Sequence, residues 1–314
     1  MITKIDFEFD RVANYMEFVP YDVTRKGLYT SSELYEGYSP DQPDSYASCY
    51  DQQVYQHFLD TGKLTDYPLE SLARSQHDFF IRKAMNAFLE RYEKKKVVGV
   101  MGGHGLSRAD EMYRKVALIS KRLTEQEYLM VTGGGPGAME ATHLGAWMAG
   151  RTDAEVDKAI SLLAQSPTFR DEGWFESTFK VMQAFPQTEG YDSLGVPTWL
   201  YGHEPSTPFA TQIAKLFENS VREDTILTIT YGGLIFSPGS AGTMQEIFQE
   251  AVQDHYQSFG FSSPLVFLGT EFWTSQVPVY PFLEMLQDKG CYKNLLLSIS
   301  DHVDEVVKIL NDFK

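Results

Sequence analysis

From residue 96 onward, short apolar runs alternate with longer stretches in which apolar positions recur every three or four residues. VVGVM (97–101), YLMVT (128–132), GLIFS (233–237) and PLVFLG (264–269) have strand length and continuous hydrophobicity, and glycine turns follow them closely. Between the first two, Met112, Val116, Ile119 and Leu123 form one helical stripe, and DEVVKILNDF reads as a closing helix. SLGVPTWLYG (193–202) predicts a further strand. Strands alternating with helices, each turning through glycine at the strand's C-terminal end, predict an α/β fold: an open parallel sheet with helices on both faces.

Two regions fall outside this rhythm. Residues 1–95 read as a mainly helical N-terminal extension that ends in HDFFIRKAMNAFLERYEKKK, where Phe80, Ala84, Phe88 and Tyr92 predict the packed face of a helix. Residues from about 151 to 192 lack strand patterns and read as a helical insert within the 96–314 domain.

With 314 residues and 43% hydrophobic content, the chain can bury a core without staples. Cys49 and Cys291 match no metal or redox spacing, which predicts reduced thiols and a cytoplasmic protein. MITKIDFEFD has charges where a signal peptide needs an apolar run, and no segment has membrane-spanning length. The formal net charge of −16 argues against a nucleic acid partner, whose backbone needs clustered Lys and Arg. A mononucleotide needs only a few backbone amides and one or two basic side chains.

Two glycine loops supply such amides. In GGGPGAME (133–140), Gly133, Gly134, Gly135 and Gly137 allow a sharp turn and close backbone approach to a ligand, with Pro136 near the helix start. In PGSAGT (238–243), the amides of Ser240, Ala241, Gly242 and Thr243 form a candidate phosphate cradle after Gly239. Neither loop is a dinucleotide fingerprint, and the phosphate-binding lysine of P-loop ATPases is absent. Gly103 and His104, at the end of the first strand, stand where open α/β sheets bind ligands, although His104 reads equally as a turn residue. Tyr231, Trp199 and Tyr201 are candidates to stack a base, with core packing the commoner role. His203 and His255 have no metal-ligand spacing.

Together the loops resemble the LONELY GUY (LOG) family of Rossmann-like nucleotide 5′-monophosphate nucleosidases, formerly labelled lysine decarboxylases. The family's GGGxxGxM turn stands here as Gly133 to Met139, and its PGGxGTxxE turn as Pro238 to Glu246. The extension and insert look closer to the larger nucleosidases than to minimal members. The resemblance implies hydrolysis of the N-glycosidic bond of a nucleoside 5′-monophosphate, giving free base and ribose 5-phosphate, with no cofactor and no metal. It assigns the catalytic pair to Glu246 and to Arg222, on the helix before the second motif, and implies a homodimer or higher homo-oligomer. The residue-level alternative for Arg222 is a surface pair with Glu218. A non-catalytic nucleotide-binding protein or molybdenum-cofactor carrier is the rival function. Three positions depart from the family pattern: Ser240 and Ala241 replace glycine and an aromatic, and Glu223 stands where the family has lysine. These bear on base preference. The chemistry expected of Glu246 is that of glycoside hydrolysis, a carboxylate that activates water or stabilises positive charge at C1′, kept ionised by Arg222.

Overall fold

The computed structural model describes residues 9–313. Four helices, α1 (Phe9–Phe18), α2 (Ser31–Leu34), α3 (Tyr50–Asp60) and α4 (Pro68–Leu89), precede the first strand, β1 (Val97–Met101). There follow α5 (Glu111–Thr124), β2 (Leu129–Thr132), α6 (Ala138–Trp147), α7 (Asp153–Leu163), α8 (Trp174–Ala184), β3 (Ser193–Gly195), β4 (Gln212–Ile213) and α9 (Asn219–Ile229). The chain ends with β5 (Gly233–Phe236), α10 (Ala241–Tyr256), β6 (Pro264–Leu268), α11 (Val279–Asp288), β7 (Leu296–Ser300) and α12 (Val303–Asp312).

The seven strands form one parallel sheet in the order β4-β3-β2-β1-β5-β6-β7. The fold is therefore α/β and Rossmann-like, as the alternation predicts. Strands β1, β2, β5 and β6 are buried along their whole length, because helices cover both faces. The chain winds outward from β1 to β4 and then crosses back to β5 on the other side of β1. The C-terminal ends of β1 and β5 thus flank the topological switch point, where open α/β sheets bind ligands.

The N-terminal helices share a core with one face of this sheet: Tyr21, Tyr29, Tyr35, Val54, Phe58 and Ile81 cluster with Val97, Leu129, Leu194 and Phe236. Much of the early aromatic content is covered by the chain itself. Phe18, Leu59, Leu64, Tyr67 and Phe79 remain exposed among the described residues. On α4 the buried spine is His77, Ile81, Met85 and Phe88; the predicted Phe80 and Ala84 are half-buried on its flank, and Tyr92 lies beyond the helix. Burial there follows polar anchoring. Asp78 Oδ2 accepts from the backbone N–H of Phe217 (3.1 Å) and Glu218 (2.9 Å), which turns the helix by one position from its purely apolar stripe.

Two buried ion pairs fix the surroundings of the site. Lys215 Nζ donates to Asp51 (2.6 Å), which also accepts from Trp199 Nε1 (3.0 Å) and so ties α3 to the strand β4 region. Arg108, in the loop after β1, forms a two-pronged pair with Glu140 on α6 and donates to the carbonyls of Ser166 (3.2 Å) and Trp174 (3.2 Å). The insert helices are thereby held to the loops that end β1 and β2. Burial offsets much of the attraction in such pairs, but removing one partner strands a buried charge.

Helix α10 carries two further buried acids, Glu250 and Asp254, one turn apart. Glu250 Oε2 and Asp254 Oδ2 have no hydrogen-bond partner among the described residues. Burial pushes Glu250 up to about 8, with Asp254 adding to it, and pushes Asp254 up to about 7, opposed by the N–H of Ser263. Both folded values exceed the ordinary carboxylate range, so the folded protein holds more protons than the unfolded chain between about pH 4 and 8. Their contribution is full below that window and is lost as pH rises through it. Thermal melting is expected to show Tm several degrees lower at pH 9 than at pH 6. Glu250→Gln should reduce that difference; a Tm that is flat or rising across this range contradicts the assignment.

Candidate functional site

A cavity of about 450 Å³ opens over the switch point. Its floor is the end of β1 with Gly102, Gly103 and His104; its walls are Gly133 and Met139, the start of α10 from Ser240 to Glu246, Arg222 and Glu223 of α9, and Tyr201 and Glu204. Both members of the predicted catalytic pair and most of the predicted binding residues meet here. Gly134, Gly135, Gly137 and Gly239 do not line the cavity.

The first glycine loop is directed inward. The Gly134 N–H donates to Thr132 Oγ1 (2.9 Å), and the Gly135 N–H points at Met139 Sδ (3.4 Å). Thr132 Oγ1 also lies 2.7 Å from His143 Nε2, and His143 Nδ1 lies 2.9 Å from Ser193 Oγ, which links the turn to β3. Burial holds His143 down at about 3, so this link is neutral. Gly134 and Gly137 adopt positive φ, whereas Gly135 does not. Gly133 matters for space rather than for its backbone angles. A Cβ there would stand 1.7 Å from Arg222 Nη2, so its bare backbone makes room for the guanidinium.

The second loop offers its donors to the cavity. Ser240 precedes α10 without a capping side chain, and no acceptor for the N–H groups of Ala241, Gly242 and Thr243 is found among the described residues. These orphan amides carry the positive end of the helix dipole. A Cβ at Gly242 would meet nothing within 4 Å, so that position stays open to a ligand. Ser240 has φ of −115°, a value any residue adopts, and its replacement of glycine leaves the turn intact.

Arg222 is half-buried, and its Nε donates to the Val196 carbonyl (3.0 Å). The surface pair with Glu218 is not formed among the described residues; Glu218 accepts instead from Ser220 Oγ (2.8 Å). Glu246 lies one turn into α10, enclosed on most sides yet open to the cavity. Burial pushes its carboxyl up to about 7; Arg222 opposes the shift and Glu223 adds to it. The expectation that Arg222 keeps Glu246 fully ionised is therefore corrected. The guanidinium is anchored on a backbone carbonyl and forms no direct ion pair with Glu246, so desolvation outweighs its attraction. Glu223 is itself held by Asn219 Nδ2 (2.7 Å) and Gln245 Nε2 (2.9 Å).

The remaining candidates separate clearly. His104 lines the cavity, with Nδ1 3.6 Å from Glu204 Oε1. Trp199 is fully buried in the core, and Tyr231 stacks on Phe261 away from the cavity, whereas Tyr201 is 44% exposed and lines it. His255 accepts from the Lys293 N–H (3.0 Å) near the far end of α10. Glu204 was not legible as a site residue, because it lies in an irregular loop with no motif around it.

No protein-family model matches the chain, and no curated protein sequence matches it. Among solved structures, the molybdenum cofactor binding protein from the phototrophic bacterium Rippkaea orientalis is similar with a TM-score of 0.42 and 13% identity, covering 68% of this chain and 94% of that one. The Moco carrier protein of Chlamydomonas reinhardtii is similar with a TM-score of 0.41 and 17% identity, over 68% of this chain and 94% of that one. A second structure of that carrier gives 0.40 and 16%, over 68% and 98%.

Proposed function

We propose that the chain is a phosphoribohydrolase that cleaves the N-glycosidic bond of a nucleoside 5′-monophosphate. The observation that carries this reading is a single cavity joining an uncapped helix N-terminus to a carboxyl one turn along the same helix, poised near neutrality. The amides of residues 241–243 hold the 5′-phosphate. C1′ then lies along the nucleotide toward Glu246. In its ionised form Glu246 takes a proton from the attacking water as the C1′–N bond breaks; the bond electrons leave with the base, and the water oxygen bonds to C1′. Arg222, seated on Gly133 and Val196, supplies positive charge beside the ribose phosphate.

This role has a pH signature. Glu246 must be ionised to act as base, and its free-enzyme value is about 7. The expected kcat/KM rises about tenfold per pH unit below pH 7 and levels off above it. Ribose 5-phosphate release measured from pH 5 to 9 checks this; a rate already level from pH 5 would remove Glu246 from the role.

The second reading is binding without turnover, of a nucleotide or of the phosphate-bearing molybdenum cofactor. Glu223 favours it, because this carboxylate stands in the cavity and helps keep a proton on Glu246. A binding protein needs the amides but not the ionised acid. Ligand retained with no base released, at any pH, would support it.

A further inference from the structure

The cavity carries, on a loop separate from α10, a second carboxyl that the hydrolysis does not use. Glu204 belongs to the loop after β3, and the amide end of α10 follows β5. The loop carries Glu204 across to His104 at the end of β1 (3.6 Å), so its carboxylate and the start of α10 line the one cavity from different elements. The two elements give the cavity groups of different character. One offers backbone donors to an anion, and the other offers acceptors.

The backbone of Glu204 is held in place, and among the described residues its carboxylate accepts no hydrogen bond closer than the two histidines beside it. Its backbone N–H donates to the Tyr201 carbonyl (2.8 Å), and the Thr207 N–H donates to the Gly134 carbonyl (2.8 Å). Ser206 takes a hydrogen bond on its carbonyl from Tyr35 and one on Oγ from Lys215 Nζ (3.0 Å). Trp199 roots the other end of the loop in the core. The carboxylate lies 3.6 Å from His104 and 3.9 Å from His203, beyond hydrogen-bond distance from both, with 20% of the side chain exposed. Tyr201, on the same loop, also lines the cavity and presents an exposed ring.

An ionised carboxylate only accepts hydrogen bonds, through two oxygens side by side. A flat ring satisfies both when a ring N–H adjoins an exocyclic amino group. Guanine has that edge, and so does the pyrimidine ring of a pterin. Hypoxanthine lacks the amine. Adenine and cytosine place an unprotonated ring nitrogen beside theirs, so the second carboxylate oxygen would face a lone pair.

We propose that Glu204, with Tyr201 as the stacking surface, selects ligands that carry a 2-amino-4-oxopyrimidine edge at one end and a phosphate at the other. The proposal rests on the placement of the phosphate at α10 given above. It makes guanosine 5′-monophosphate the favoured substrate of the hydrolase, and a phosphorylated pterin the favoured cargo if the protein binds without turnover.

Titration calorimetry on the full chain tests this with GMP, IMP, AMP and neopterin monophosphate. Loss of one hydrogen bond to a charged group predicts that GMP binds roughly 10- to 100-fold more tightly than IMP, and AMP no better than IMP. Glu204→Gln should bring GMP down to the level of IMP while leaving AMP unchanged. If neopterin monophosphate binds more tightly than GMP, the edge belongs to a pterin; if more weakly, to guanine. Equal affinity for GMP, IMP and AMP, a preference that survives Glu204→Gln, or no binding of any of the four would overturn the proposal. The wild-type comparison decides even if the variant does not fold. GMP bound with the expected preference but never cleaved would keep this inference and remove the hydrolase reading.

Discussion

Glu246→Gln is expected to lower turnover of nucleoside monophosphates by about two orders of magnitude or more, with KM nearly unchanged. The amide matches the carboxyl in size and sits in the same wall of the cavity, so the phosphate cradle at residues 241–243 is untouched. It cannot take a proton from water, and it carries no charge to stabilise C1′. Folding should not suffer, because the wild-type carboxyl is already close to half-protonated at neutral pH. Steady-state kinetics with a melting curve on the same sample separates the two effects. A turnover near that of the wild type would show that the acid at the start of α10 is not the catalytic group.

Removing the 5′-phosphate should do comparable damage from the substrate's side. A nucleoside offers nothing to the orphan amides of Ala241, Gly242 and Thr243 or to the dipole of α10, and loses the contact that sets C1′ against Glu246. Remote binding energy of this kind lowers the barrier by positioning, so its loss appears in kcat as well as in KM. Guanosine is expected to be cleaved at least about 100-fold less efficiently than GMP. Equal kcat/KM for the two would mean that the loop at residues 238–243 is a structural turn only.

The strands that build the site were legible because each is a continuous apolar run ending in glycine. The predicted 97–101 run is β1, and the runs beginning at 128, 233 and 264 contain β2, β5 and β6. The two strands that were not predicted lie at the sheet's edges. β4 is two residues long and includes Gln212. An apolar run at Leu295–Leu297 leads into β7, but the strand continues as Ser298-Ile299-Ser300 and ends without the glycine turn that marks the central strands. The predicted strand at 193–202 stops at Gly195, because Pro197 follows and Thr198 caps a 3₁₀ turn over Trp199–Tyr201.

The site was legible to a different depth. The glycine motifs placed the two loops on the right elements, yet the amide groups they carry point in different directions. Gly134 and Gly135 turn theirs to Thr132 and Met139, whereas at the start of α10 the N–H groups of residues 241–243 have no acceptor among the described residues. That distinction depends on contacts across the fold. The buried pair of Arg108 and Glu140 spans 32 residues and that of Lys215 and Asp51 spans 164, and neither leaves a local pattern. The proton affinity of Glu246 was also out of reach, since its sign is set by how far the cavity wall excludes water.

Hydrolysis at this cavity is tested most directly by the amount of ribose 5-phosphate formed per protein molecule when excess GMP is supplied at pH 8, above the value at which Glu246 ionises. Many equivalents are expected, matched one for one by free guanine and nearly abolished in Glu246→Gln. No ribose 5-phosphate from GMP or any other nucleoside monophosphate, with nucleotide still bound, would contradict the hydrolase reading and leave a binding protein.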